Sequence, residues 1–129
     1  MSTTTTAAFD LERFVRATEE RDTSKLVSAY RPDATVTIVD KISPPSSARV
    51  LNDTAQIKGW LEDLNGRDMT HRVIHLVADD HTAAYTVACS YPDGTRVLCA
   101  AALELSDGLI AAQTIVQVWD ETVSTGASA

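Results

Sequence analysis

The residues able to move protons are few and lie in or beside strand-like segments. Asp40 closes the run 34–39 (ATVTIV). Turned inward, its carboxylate would lose hydration, and that raises a carboxylate pKa toward the range useful to a general acid or base. The competing reading is a solvated carboxylate at a strand end beside Lys41. His71 and His75 stand four apart in 70–78 (THRVIHLVA). In a regular strand they share one face about 13 Å apart. With no third ligand in view that is too far for one metal ion, so no metal site is predicted. Either face of this segment could be the inner one. His71 is a candidate pocket base, His75 a hydrogen-bonded sheet residue, and His81 a solvated turn residue. Tyr85 could donate to a ligand carbonyl or satisfy its hydroxyl in the core. Gln113 and Gln117 alternate with Ile115 and Trp119 and could form a polar patch in an apolar pocket. The opposite face, Thr114, Val116 and Val118, competes for the inward position. Cys89 and Cys99 could meet across a hairpin, depending on register. Neither has a histidine neighbour in sequence, so buried thiols are predicted rather than a nucleophile or a bridge.

The elements that must position these groups are legible from pattern. Four runs, 70–78, 82–91, 95–105 and 109–119, are strand-like, with Pro92-Asp93-Gly94 and Ser106-Asp107-Gly108 as turns. Strands so close in sequence must pair antiparallel. Their length suits a curved sheet around a cavity. On 82–91, Tyr85, Val87, Cys89 and Tyr91 are the bulkier, inward set. Ala84, Thr86, Ala88 and Ser90 are small and face outward. Ahead of the sheet, Leu11, Phe14, Val15 and Thr18 mark a helix over 7–20. Asp22-Thr23 caps a second helix over 24–30, which Pro32 ends. A strand over 34–39 and a proline- and serine-rich loop over 41–49 follow. A third helix opens at Asp53 with Gln56 at capping-box spacing and carries Ile57, Trp60, Leu61 and Leu64 as its apolar stripe. The sheet is expected to be antiparallel throughout, with the third helix on its concave face and Trp60 inside.

Composition limits the partners. The chain has 129 residues, 44% hydrophobic, which suits one domain over 7–121. Residues 1–6 and 122–129 read as disordered tails. A net charge of −7 disfavours nucleic-acid binding. No apolar run is long enough to span a membrane and no secretory signal is visible, so a cytoplasmic location is expected. No cofactor motif is present.

The order helix, helix, strand, loop, helix, four strands resembles the nuclear transport factor 2-like superfamily, and within it the SnoaL-like proteins. The resemblance rests on Tyr30-Arg31-Pro32-Asp33-Ala34-Thr35-Val36, the helix around Ile57 and Trp60, and the Asp107-Gly108 turn; it runs from about Phe9 to Glu121. It implies a cone-shaped α+β fold, a curved antiparallel sheet wrapped around helices, with a pocket inside. Members include polyketide cyclases, ketosteroid isomerases and scytalone dehydratase. At positions matching the isomerases' oxyanion tyrosine, base and second acid this sequence has Phe14, Ile38 and Leu103. Thr70-His71 resembles the histidine position of scytalone dehydratase-like members.

Together these readings predict a pocket bounded by the first helix, the 42–49 loop and the inner sheet. Phe14, Val36, Ile38, Trp60, Tyr85 and Leu103 would form its wall, with Gln113 and Gln117 as polar contacts and Asp40 and His71 as catalytic groups. Its ligand would be a small apolar carbonyl compound, undergoing isomerisation, cyclisation or dehydration. The alternatives are passive ligand binding and an interaction module. A homodimer through the small-residue outer face is expected in any of these cases.

Overall fold

A computed structural model describes residues 8–120. Helix α1 is Leu11–Glu20, α2 Thr23–Val27 and α3 Thr54–Asn65. Each is started by an aspartate whose carboxylate accepts a backbone N–H of the first turn. Asp10 accepts from Arg13 at 3.0 Å, Asp22 from Lys25 at 3.2 Å and Asp53 from Gln56 at 2.8 Å. Gln56 reaches back to the Asn52 N–H at 2.7 Å, completing the start of α3. The first helix begins at Leu11 rather than at position 7; Ala7, like the predicted tails 1–6 and 122–129, lies outside the described residues.

The strands are β1 Tyr30–Val39, β2 Arg49–Leu51, β3 Thr70–Ala78, β4 Thr82–Ser90, β5 Arg96–Ser106 and β6 Leu109–Trp119. They form one sheet in the order β2-β1-β6-β5-β4-β3. The four predicted sheet strands are present as a sequential antiparallel meander. The sheet as a whole is mixed, which corrects the expectation of antiparallel pairing throughout: β6 returns beside β1 and runs parallel to it. Pairing between sequence neighbours limits only short connections. Everything from β2 to β5 separates β1 from β6, ample chain for a parallel crossover.

Three local readings also change. The second helix stops at Val27, and Tyr30 opens a strand instead of closing a helix. Pro32 sits inside β1, where the pairing to β6 is irregular between Tyr30 and Thr35; its missing N–H therefore interrupts no regular ladder bond. The 41–49 loop contains a short 3-10 turn, Pro45–Ser47, and leads into β2.

The inner face of the sheet and the helices enclose one core. Val36, Ile38, Ile57, Leu103 and Ile110 are its most completely buried large side chains. Trp60 is 5% exposed and faces inward. On β4 the predicted inward residues Tyr85, Val87 and Cys89 are buried and their neighbours turn outward, whereas the fourth, Tyr91, lies past the strand and is half-buried; on β5, Val97, Cys99, Ala101, Leu103 and Leu105 are buried. Among the described residues no helix is long and apolar enough to cross a membrane.

Candidate functional site

The helices and the inner sheet surround a cavity of about 50 Å³. Phe14 and Thr18 of α1, Leu26 of α2, Trp60, Leu61, Leu64 and Asn65 of α3, and Tyr30, His71, Tyr85, Cys89 and Ile115 from the sheet line it. The predicted 42–49 rim takes no part. The cavity lies under the helices, and Ile42 in that loop is 84% exposed.

His71 is buried on the inner face of β3. Its register partner is Cys89, whereas His75 pairs with Thr86 on the outer face. A bulge between Val73 and His75 inserts one residue and reverses the alternation. The two histidines therefore face opposite sides of the sheet, which corrects the shared face expected from i, i+4 spacing. His75 Nδ1 lies 2.9 Å from Thr86 Oγ1, an outward sheet contact. β3 is an edge strand, and α1 covers that edge: Glu19 accepts the Val73 N–H at 2.9 Å.

The contacts of His71 fix its tautomer. Nδ1 lies 3.3 Å from the Thr18 carbonyl oxygen. A carbonyl can only accept, so Nδ1 carries the hydrogen and Nε2 of the neutral ring carries a lone pair. Nε2 is buried and has no partner among the described residues. Burial lowers the pKa; the Thr18 carbonyl opposes this and the Arg21 charge adds to it. Burial thus favours the neutral ring, and His71 is one of the residues that line the cavity.

Tyr85 supplies a donor. Tyr30 donates to Gln113 Oε1, and Gln113 Nε2 donates to Tyr85 Oη at 2.8 Å. This leaves the Tyr85 hydrogen without an acceptor among the described residues. Burial holds both tyrosines well above the usual phenol pKa, so both stay protonated. An edge contact with Phe14, ring centroids 5.3 Å apart, steadies the Tyr85 ring. Asn65 donates from Nδ2 to Thr23 Oγ1 at 3.0 Å, and its buried Oδ1 has no partner among the described residues.

The remaining predicted residues have other surroundings. Asp40 is half-buried and accepts the Ile42 N–H at 3.0 Å. It does not line the cavity. Lys41 is drawn over the Trp119 ring, 4.6 Å from its centroid. Val36, Ile38 and Leu103 are core residues outside the cavity lining. Gln113 stands behind the wall as the link between two tyrosines. Gln117 is half-buried farther along β6. Cys89 pairs with Val97 and Cys99 with Val87, so the two free thiols are diagonal rather than opposite neighbours. Three residues of the site, Tyr30, Asn65 and the Thr18 carbonyl, were not anticipated as functional. Thr18 carried a signal, a polar residue in an apolar helical stripe.

The profile described as SnoaL-like domain matches residues 11–113. This chain belongs to the SnoaL-like domain family. Among solved structures, this SnoaL-like chain is similar to a candidate ketosteroid isomerase from Kribbella flavida DSM 17836, at 20% identity and TM-score 0.65, covering 92% of this chain and 80% of that one. An NTF-2-like protein of unknown function from Burkholderia xenovorans LB400 aligns at 14% identity and TM-score 0.69, covering 91% and 84%. A candidate polyketide cyclase from Sinorhizobium meliloti aligns at 19% identity and TM-score 0.62, covering 81% and 91%. At these identities the likeness shows the fold. No curated protein matches the sequence.

Proposed function

We propose that this SnoaL-like domain carries out acid–base chemistry on a small apolar carbonyl compound, with His71 as the base and Tyr85 as the oxygen-binding donor. His71 Nε2 takes a proton from the carbon beside the carbonyl. The electron pair moves onto the carbonyl oxygen, where the Tyr85 O–H donates to it. Protonated His71 then returns the proton, to the same carbon in simple exchange and to a second carbon where that carbon shares the charge, which gives an isomer. The observation that carries this reading is the His71 ring, anchored through Nδ1 to Thr18 with an unpartnered Nε2 at the cavity. Gln113 supports it, because a donor to the Tyr85 oxygen strengthens that hydroxyl as a donor in turn. Asp40 has no part in this scheme, since it lies outside the cavity and holds its own turn. Isomerase activity in this sense agrees with what the Kribbella structure is said to be.

One observation favours the interaction-module reading, with a filled cone, instead. The cavity, about 50 Å³, is well below the ~300–1,000 Å³ usual for ligand pockets. Deuterium exchange into acetone, a probe of few atoms, separates the two readings. Catalysis above the buffer rate, lost in His71→Gln, supports the base. Equal rates with and without the protein remove the base and leave the filled cone. We also propose that the domain is a homodimer through the outer sheet face, where small residues are interspersed with exposed Val77, Leu98, Val116 and Val118.

A further inference from the structure

We infer that the substrate is an α-hydroxy carbonyl compound, held by its hydroxyl at Asn65 and interconverted with its isomer through an enediol. The inference rests on the acid–base reading above and comes from a count of what the cavity leaves free. Thr18 Oγ1 donates to the Phe14 carbonyl at 2.8 Å, and the Tyr30 hydroxyl donates to Gln113. Apart from the free Cys89 and Cys99 thiols, weak donors that also line the cavity, three polar functions remain: the Tyr85 hydrogen, the His71 Nε2 lone pair and the Asn65 Oδ1. A buried polar atom left unpaired costs about 1–3 kcal/mol, so a complementary ligand engages all three. Tyr85 takes the carbonyl oxygen and His71 faces the C–H to be broken. Asn65 Oδ1 can only accept, because its amide nitrogen already donates to Thr23. The ligand must therefore present a hydrogen to it. A simple ketone has none. A carboxylate would bring only further acceptors. An ammonium would meet the Arg21 charge already acting on His71 and no carboxylate among the cavity-lining side chains. A hydroxyl supplies one hydrogen and no charge.

The position of that hydroxyl also separates isomerisation from dehydration. A departing hydroxyl must gain a proton, whereas Asn65 Oδ1 holds it by the hydrogen it already has. An α-hydroxyl survives the reaction. His71 takes the C–H proton from the carbinol carbon, and the electron pair forms the carbon–carbon double bond of an enediolate whose negative oxygen is held by the Tyr85 O–H. The hydroxyl proton passes across the cis enediolate to that oxygen, the former hydroxyl oxygen becomes the new carbonyl, and His71 delivers its proton to the former carbonyl carbon. Atoms and electrons balance without a cofactor.

The probes are hydroxyacetone, methoxyacetone, in which the hydroxyl hydrogen is replaced, and 4-hydroxy-2-butanone, a β-hydroxy ketone. Deuterium incorporation is followed by NMR in heavy water and expressed relative to each compound's own buffer-catalysed rate. The expected result is an enhancement for hydroxyacetone at least tenfold that for methoxyacetone, with lactaldehyde as product, and a ratio near one in Asn65→Leu. Equal enhancement for hydroxyacetone and methoxyacetone in the unaltered protein overturns the inference, whatever the variant does. Faster elimination from 4-hydroxy-2-butanone than isomerisation of hydroxyacetone overturns it too. If acetone exchange is catalysed while hydroxyacetone has no advantage, only the hydroxyl subsite falls. If no probe exchanges above buffer, the base reading falls with it.

Discussion

His71 combines two properties that usually oppose each other in a buried histidine: one nitrogen is satisfied and the other is not. A core histidine with a structural role would pair both. Since its pKa is lowered in the fold, the sign of its pH dependence follows. Below the unfolded value of about 6.5 the unfolded chain takes up a proton that the folded chain resists. Its favourable contribution is complete above that value and is lost as pH falls toward the depressed native one. Denaturant titrations between pH 7 and 5 should show stability falling with acid, less so in His71→Phe; identical slopes would contradict the neutral, buried ring. Activity, which needs the same neutral form, should be flat at neutral pH and decline in acid. Tyr85→Phe keeps the ring and removes the donor. It should lower turnover by about 10²–10³-fold with little effect on the fold, measured against His71→Gln at about 10²–10⁴-fold. Full activity in Tyr85→Phe would remove the tyrosine from the scheme.

At the scale of elements, β3 and α1 together make the site. The bulge after Val73 is what allows His71 to point inward while His75 points out, and Glu19 ties the edge N–H of Val73 to α1. Glu19→Ala should speed amide exchange at Val73 severalfold relative to central β5 amides; unchanged protection would show that the edge is held by other contacts. These features also mark where sequence reading stops. The meander, the helix caps and, Tyr91 aside, the inward sets on β4 and β5 follow from local pattern and turn chemistry, and the structure has them. The bulge does not, because THRVIHLVA alternates as well without one. The parallel β1–β6 pair is a contact between distant segments that no local signal specifies. Phe14, Trp60, Tyr85 and His71 line the cavity. Asn65 and Tyr30 were hidden because their importance lies in partners, Thr23 and Gln113, that are brought near only by the fold. Asp40 shows the converse: a carboxylate after an apolar strand is as well suited to closing a turn as to a pocket.

At the scale of the whole molecule, the side of the sheet away from the helices has no covering element among the described residues. Ala84, Ala102 and Ala112 line a groove of about 480 Å³ there, and Val118, 63% exposed, stands on the same side. Small side chains let a second sheet approach closely, and a twofold dimer would remove this apolar surface from water. Light scattering at micromolar concentration should give twice the 13.9 kDa chain mass, and Val118→Lys should shift the population toward the monomer. A monomer mass for the unaltered chain would contradict the dimer.

The central claim is the state of one ring, and nitrogen NMR reads it directly. Long-range ¹H–¹⁵N correlations from the His71 ring protons distinguish the two neutral tautomers from each other and from the imidazolium. At pH 7 the expected pattern is a neutral ring protonated on Nδ1, with Nε2 carrying the lone pair, titrating only below the ordinary histidine range. A ring protonated on Nε2, or an imidazolium at pH 7, would contradict the base assigned here.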